Sequence, residues 1–110
     1  MDPRSVLFLG SSLEDLRAFP ADARQDTGYA LHLLQHGDWP PDTKPMRTVG
    51  SGVHEIRVSA DGRAFRTLFV AKLDDAIYVL HAFEKKTRKT PQRDLDLARH
   101  RYRDLLRQRE

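Results

Sequence analysis

The sequence contains no cysteine in its 110 residues, which excludes a disulfide framework and any thiolate metal site. It also has no apolar run long enough to cross a membrane, and residues 1–4 do not have the pattern that begins a signal peptide. We therefore expect a cytoplasmic protein that forms one domain over residues 1–110. We also expect that it needs neither a membrane nor a metal or other cofactor.

Positive charge is unevenly distributed along the chain. Residues 1–43 carry three arginines and seven acidic residues, whereas residues 44–110 carry sixteen basic and nine acidic residues. This asymmetry fits the binding of a polyanion by the C-terminal two thirds, because phosphate contacts supply most of the nonspecific affinity for nucleic acids. From charge alone, a solvated charged surface is the better interpretation. The positions of the basic residues in the fold therefore decide between these two interpretations.

Apolar periodicity and turn residues predict an α+β fold whose first part is mainly helical. Residues 5–9 form a short strand, after which Ser11 to Glu14 matches a capping box that starts a short helix. Pro20 ends that helix and begins a second one, which is expected to run to about His36. The stretch 37–45 holds three prolines and is expected to be a loop.

The remaining residues predict strands joined by tight turns, and then a helix. A weak strand signal at residues 46–49 comes first. The stronger strands cover residues 53–58, 65–71 and 77–83. Turns at Asp61-Gly62 and Asp74-Asp75 would join them into an antiparallel meander. Pro91 begins the last helix. The apolar stripe of that helix consists of Leu95, Ala98, Tyr102 and Leu105.

The Asp61-Gly62 turn determines which side chains meet across the first hairpin. A symmetric two-residue turn there places Arg57 directly opposite Arg66, on the face that also carries Glu55. Like charges at directly opposed positions destabilise a strand pair. The two arginines are therefore either a surface pair that Glu55 partly neutralises, or part of a site for an anion.

The second turn adds further residues to the same face. If the turn at Asp74-Asp75 is also symmetric, Phe83 lies opposite the second arginine, and His81 and Lys85 share its face. A shift of one residue would bring Lys86 to that face instead. Two arginines and a lysine suit phosphate binding, because a guanidinium contacts two oxygens at once and an ammonium acts as a point charge.

The residues of these strands resemble a known family. The segments Val53 to Arg57, Phe65 to Phe69 and Val79 to Pro91 are similar to three motifs of the HigB-type, phage-derived branch of the RelE/ParE toxin superfamily. Those motifs are a Glu-Leu-Arg strand, an aromatic-Arg strand, and a His-x-Phe-x-Lys-Lys strand end before a Thr-Pro helix start. Ile56 stands where leucine is usual, and Ala98 matches an alanine of the last helix.

The resemblance covers about residues 45–102 and implies a RelE-like fold. That fold has an antiparallel meander of three to four strands plus an N-terminal strand, packed against two N-terminal helices, with a C-terminal helix. The implied function is the toxin of a type II toxin–antitoxin system. Such a toxin is a metal-independent mRNA endonuclease that inhibits translation, commonly on the ribosome, and a cognate antitoxin silences it.

By position, Arg57, Arg66 and either Lys85 or Lys86 would take the basic active-site roles of that family. RNA cleavage without a metal proceeds by attack of the 2′-hydroxyl on the adjacent phosphorus, so the site must stabilise charge and transfer protons. The two arginines suit the phosphate, and Arg66→Ala is expected to abolish growth arrest without unfolding the protein. The candidates for proton transfer are the other polar side chains near that face: Lys85, Lys86, His81 and Glu55. Tyr102 is the candidate for a C-terminal tyrosine that takes part in some relatives, but its place on an apolar stripe favours a core role.

The sequence also predicts RNA contacts and leaves two other functions open. RNA contacts are expected from basic residues inside and outside the strands: Arg57, Arg66, Arg88, Lys89 and Arg99. A basic sheet face predicts that an acidic segment of the antitoxin lies across it. Two alternatives are a ParE-like toxin that inhibits a topoisomerase by binding, and an inactive phage-derived module that binds an antitoxin. Converging cations favour the nuclease, because a binding protein has no need of them.

Overall fold

The structure is a computed structural model that describes residues 2–73 and 75–110. The elements in chain order are β1 (Ser5–Phe8), α1 (Ser12–Arg17), α2 (Ala21–Gln35), β2 (Thr43–Pro45), β3 (Val53–Ala60), β4 (Arg63–Val70), β5 (Ala76–Lys85) and α3 (Gln92–Gln108). The predicted α+β fold is confirmed. No helix in the described ranges has both the length and the apolar character required to span a bilayer.

The five strands form one mixed sheet in the order β1-β5-β4-β3-β2. Strands β2 to β5 pair antiparallel with one another, as expected for a meander. Strand β1 pairs in parallel with β5, through Ser5 opposite Ala76 and Phe8 opposite Val79. A parallel pair needs a long connection, which α1, α2 and the strands β2 to β4 provide. The arrangement agrees with the expected RelE-like fold.

Helices cover both faces of the sheet. On one face, α1 packs through Leu16, and α2 packs through a buried stripe of Ala23, Thr27, Ala30, Leu31 and Leu34. On the other face, α3 packs through Ala98, Tyr102 and Leu105. We call this second side the α3 face. The sheet residues that pack there are Val53, Leu68, Val70, Ala76, Tyr78, Leu80 and Phe83.

Two local predictions in the first half of the chain were wrong. Ser11 is the N-cap of α1, but its hydroxyl donates to Asp15 Oδ2 at 2.8 Å instead of accepting a bond from the first turn. The bond that this hydroxyl accepts comes from Arg101 Nη2 at 3.1 Å, so the capping box with Glu14 does not form. The weak strand also lies three residues earlier than expected, at Thr43–Pro45, where Lys44 pairs with Glu55. A proline is tolerated there because β2 is an edge strand.

The β3–β4 hairpin has the predicted register. Arg57 lies opposite Arg66. Asp61 and Gly62 have φ values of 53° and 73°. Positive φ at both central residues is what a two-residue turn of type I′ requires. The local sequence was therefore sufficient to determine this pairing.

The β4–β5 hairpin agrees with the prediction at one end only. Phe83 lies opposite Arg66, as expected. Near the turn, however, Val70 pairs with Tyr78, one residue short of the partner that a symmetric turn requires. The predicted turn includes Asp74, which lies outside the described residues.

A β-bulge reconciles the two ends of this hairpin. Leu68 pairs with His81 and Phe69 pairs with Val79, so Leu80 is an additional residue on β5. The additional residue shifts the register by one and brings Phe83 opposite Arg66.

Candidate functional site

The two opposed arginines occupy different environments. The Arg57 side chain is 31% exposed, and its Nε lies 3.9 Å from Asp42 Oδ1 in a loose ion pair. The Arg57 amide also donates to the Asp42 carbonyl at 2.9 Å, which fixes the backbone at this point. Arg57 therefore presents a guanidinium to solvent from a position that the sheet holds firmly.

Arg66 is only 8% exposed. Its Nη1 donates to the Phe65 carbonyl at 2.9 Å, and its Nε lies 3.9 Å from Glu55 Oε2. Burial lowers the pKa of the Arg66 guanidinium; Glu55 opposes this shift and Arg57 adds to it. An arginine nevertheless stays charged in proteins. Arg66 is therefore a fixed cation in a desolvated position, where its electric field is stronger than it would be in water.

Glu55 is the buried partner of this cation. It is 7% exposed, shares the α3 face with Arg57 and Arg66, and lies opposite Lys44 of β2. Among the described residues, Glu55 Oε2 and Arg66 Nε have no hydrogen-bond partner. The 3.9 Å between these two atoms is longer than a hydrogen bond, so they attract each other as an ion pair only. The two interpretations of the arginine pair are thus compatible. Glu55 reduces the repulsion between the two arginines, and their guanidinium groups can still bind an anion.

The structure separates the two lysines that follow Phe83. Lys85 is the last residue of β5 and lies opposite Ala64, on the α3 face and two residues along β4 from Arg66. Lys86 lies beyond the end of the strand and is exposed. Lys85 is therefore the lysine that the sheet places beside the arginine pair.

His81 lies on the predicted face, but it is enclosed. It is 5% exposed, and its Nε2 donates to Asp94 Oδ1 of α3 at 2.6 Å. Its ring stacks on Phe83 with a centroid distance of 5.0 Å. Covered by α3 in this way, His81 is not open to an RNA strand as a proton-transfer group. Its partner Asp94 was not predicted from the sequence, although an acidic residue in the first turn after Pro91 could have indicated it.

The other predicted contacts are spread around the site. Arg88 and Lys89 are exposed in the segment between β5 and α3. Arg99 donates from Nε to the Thr48 carbonyl at 2.6 Å, so part of its bonding capacity ties α3 to the loop before β3. The hydroxyl of Tyr102 donates to the Ser51 carbonyl at 2.7 Å, and the ring is buried. The predicted core role of Tyr102 agrees with this burial.

The sheet brings together three cations, which are Arg57, Arg66 and Lys85. The buried carboxylate of Glu55 lies beside Arg66. Two planar guanidinium groups and an ammonium match the oxygens of a phosphodiester. Within residues 2–73 and 75–110, no three acidic or histidine side chains lie close enough to share a metal ion. The arrangement can therefore hold a phosphate and stabilise additional negative charge on it.

Comparison with known proteins gives one finding on the family. A protein-family model described as "Phage derived protein Gp49-like (DUF891)" matches residues 14–103. The matched region runs from α1 into the last turns of α3, and so includes the arginine pair, Lys85 and the His81–Asp94 contact. This family falls in the RelE/toxin-like group. The comparison with curated proteins found no match.

Proposed function

Because the chain belongs to the Gp49-like family of phage-derived proteins, we propose that it is the toxin of a type II toxin–antitoxin system. In this proposal it is an HigB-type enzyme that cleaves mRNA on the ribosome without a metal and so inhibits translation. The observation that carries the proposal is the opposition of Arg57 and Arg66 beside Lys85. A strand pair bears the cost of facing like charges more readily when an anion binds between them.

Each residue of the site has a distinct role in the proposed reaction. The exposed fork of Arg57 holds the scissile phosphate, and the buried Arg66 stabilises the charge that develops when the 2′-hydroxyl attacks phosphorus. Lys85 and Lys86 are the candidates for proton transfer to and from the reacting oxygens. Glu55 keeps Arg66 in place, because it is buried against that guanidinium.

The test is to induce the protein in cells, follow growth, and map the 5′ ends of truncated mRNAs. Arg57→Ala is expected to abolish growth arrest, because it removes a partly exposed cation without opening the core. Arg103→Ala is the matched control, since Arg103 is an exposed arginine on α3. If a folded Arg57→Ala protein arrests growth as fully as the wild type, the proposed site is wrong.

Arg66 requires a different substitution. The burial of Arg66 and Glu55 overturns the expectation that Arg66→Ala leaves the fold intact. This change would leave Glu55 in the core without its counter-ion, and an unpaired buried charge costs about 3–5 kcal/mol. Loss of growth arrest in that variant would therefore not distinguish chemistry from unfolding. Arg66→Lys keeps the charge and removes the planar fork, so a folded Arg66→Lys protein is expected to lose cleavage.

The same experiment separates the alternatives. Cuts within translated reading frames support the ribosome-dependent nuclease. Intact mRNA together with damaged DNA would indicate a topoisomerase inhibitor of the ParE type. Growth without arrest from a folded protein would indicate a module that only binds an antitoxin. The proposed antitoxin partner would cover the basic face with an acidic segment, by charge complementarity.

A further inference from the structure

Strand β5 changes the face to which its side chains point at the bulge. Before the bulge, Tyr78 and Leu80 pack on the α3 face. After it, His81 and Phe83 lie on that face, and Ala82 packs on the opposite one. Two consecutive residues, Leu80 and His81, therefore point to the same side, as the additional residue of a bulge allows.

This change determines which charge lies beside the arginine pair. With the bulge, Lys85 lies opposite Ala64 on the α3 face. Glu84 lies opposite Phe65 on the other face, where its carboxylate accepts bonds of 2.9 and 2.8 Å from Arg63. If the pairing of Val70 with Tyr78 near the turn were kept, a β5 without the bulge would place Glu84 opposite Ala64, because side chains alternate along a strand. A carboxylate would then replace an ammonium beside the two arginines.

Helix α3 binds both residues of the bulge. Asp94 accepts the hydrogen bond from the His81 ring at 2.6 Å. Arg101 donates from Nη1 to the Leu80 carbonyl at 2.8 Å. Asp94 and Arg101 are seven residues apart, which is about two helical turns, so they lie on the same side of α3. A bulge leaves one residue outside the regular ladder, and Arg101 satisfies the carbonyl of that residue.

The path of the Arg101 side chain is also constrained. It passes Gly10 at the end of β1, where a Cβ would lie 2.5 Å from Arg101 Nε. Its Nη2 donates to Ser11 Oγ at 3.1 Å. The guanidinium is thus held from two sides, and the bond to Leu80 does not depend on a freely moving surface side chain.

We propose that Asp94 and Arg101 are positioning residues of the RNA site: they hold the β5 bulge and thereby place Lys85 beside Arg66. The part that concerns cleavage rests on the proposed function. The part that concerns the register of β5 does not, and it is tested separately.

The register can be measured with paired cysteines, because the chain has none of its own. Directly opposed residues have Cα atoms about 4.5–5.5 Å apart, within the range that a disulfide spans. Ala64→Cys with Lys85→Cys is therefore expected to crosslink on oxidation. Ala64→Cys with Glu84→Cys is expected not to, because those side chains lie on opposite faces.

Both cysteine pairs are then placed in an Asp94→Ala/Arg101→Ala background. We expect crosslinking through position 85 to fall and crosslinking through position 84 to appear. The matched control is Asp96→Ala/Arg103→Ala, an acid and an arginine with the same spacing on the same helix. It is expected to keep the wild-type crosslink. A folded Asp94→Ala/Arg101→Ala protein that crosslinks only through position 85 would overturn the proposal.

A second pair of variants covers the case in which the double alanine variant does not fold. Asp94→Asn and Arg101→Gln keep most of the volume of each side chain and weaken one contact at a time. Each is expected to give some crosslinking through position 84. If both are folded and neither does, the bulge is held by something other than α3, and the proposal fails.

The cleavage assay tests the consequence for the reaction. In folded Asp94→Ala/Arg101→Ala protein, kcat is expected to fall about a hundredfold, as for a misplacement of about 1 Å. KM should change much less, because Arg57 still holds the phosphate. The single variant Arg101→Lys can still donate to the Leu80 carbonyl, so it should keep most of the wild-type kcat. Unchanged kcat together with a shifted crosslink would refute the link to catalysis. Wild-type protein that cleaves no RNA would refute the proposed function and leave the register result intact.

Discussion

Gly50→Ala is expected to destabilise the protein by pressing on helix α3, which packs on the same face of the sheet as the proposed site. A Cβ at Gly50 would lie 2.6 Å from both Cδ2 and Cε2 of Tyr102, closer than carbon atoms approach. The Tyr102 ring is 5% exposed, and its hydroxyl is bonded to the carbonyl of Ser51, the next residue in the same loop. The ring therefore cannot retreat without losing that bond or moving α3.

The size of the effect follows from these contacts. Overpacking in a tight core costs about 1–3 kcal/mol. Loss of the tyrosine hydrogen bond adds about 1 kcal/mol. Alanine restricts the unfolded chain more than glycine does, which offsets about 0.4–1 kcal/mol. A net loss of about 2 kcal/mol is expected, and each kcal/mol lowers Tm by roughly 4–8 °C in a domain of about this size.

Thermal and urea unfolding of three variants measures this effect. Gly28→Ala is the matched control, because a Cβ there meets nothing within 4 Å and Gly28 lies inside α2. It should raise stability by roughly 0.5–1 kcal/mol. In a Tyr102→Ala background, Gly50→Ala should cost almost nothing, since the ring is gone. A Gly50→Ala protein as stable as the wild type, or equally destabilised in both backgrounds, would refute the reasoning.

Three further predictions follow from the same contacts. Tyr102→Phe should lose about 1 kcal/mol of stability and keep its RNA cleavage; a folded variant without cleavage would give this hydroxyl a chemical role. The hydrogen bond from Tyr78 lowers the pKa of Asp75 below its ordinary 3.8. A lowered pKa stabilises the folded state above the unfolded value, and that stabilisation is lost as the pH falls through the folded pKa. The Tm gap between wild type and Asp75→Asn should thus be full at pH 7 and disappear in acid, whereas a gap independent of pH would contradict it. Lys85→Ala should reduce cleavage more than Lys86→Ala, measured as kcat/KM on one RNA, and the reverse order would place the other lysine in the site.

Much of the fold could be predicted because its signals are local. Helical spacing and the prolines at positions 20 and 91 predicted both ends of α2 and the start of α3 almost to the residue. The Asp61-Gly62 turn determined the register of β3 and β4, because two adjacent residues with positive φ admit few turn types. That register was sufficient to bring Arg57 and Arg66 together.

The second hairpin shows how a correct pairing can come from an incorrect premise. A symmetric turn at Asp74-Asp75 predicted Phe83 opposite Arg66, and the pair is present. Near the turn, however, β5 pairs with β4 one residue out of that register, and the bulge at Leu80 restores the predicted pairing. A bulge has no clear signal in a single sequence, because the additional residue is stabilised by distant groups such as Arg101.

The sequence by itself therefore determined the type and order of most elements, the first hairpin, and the residues from which a phosphate site could be built. Tertiary structure decided the parallel pairing of β1 and the place of β2. It also decided the burial of Arg66 and the enclosure of His81 by Asp94. The physical reason is that turns and helix ends depend on neighbouring residues, whereas strand partners and desolvation depend on segments that meet only after folding. The choice between Lys85 and Glu84 beside the arginine pair belongs to the second class.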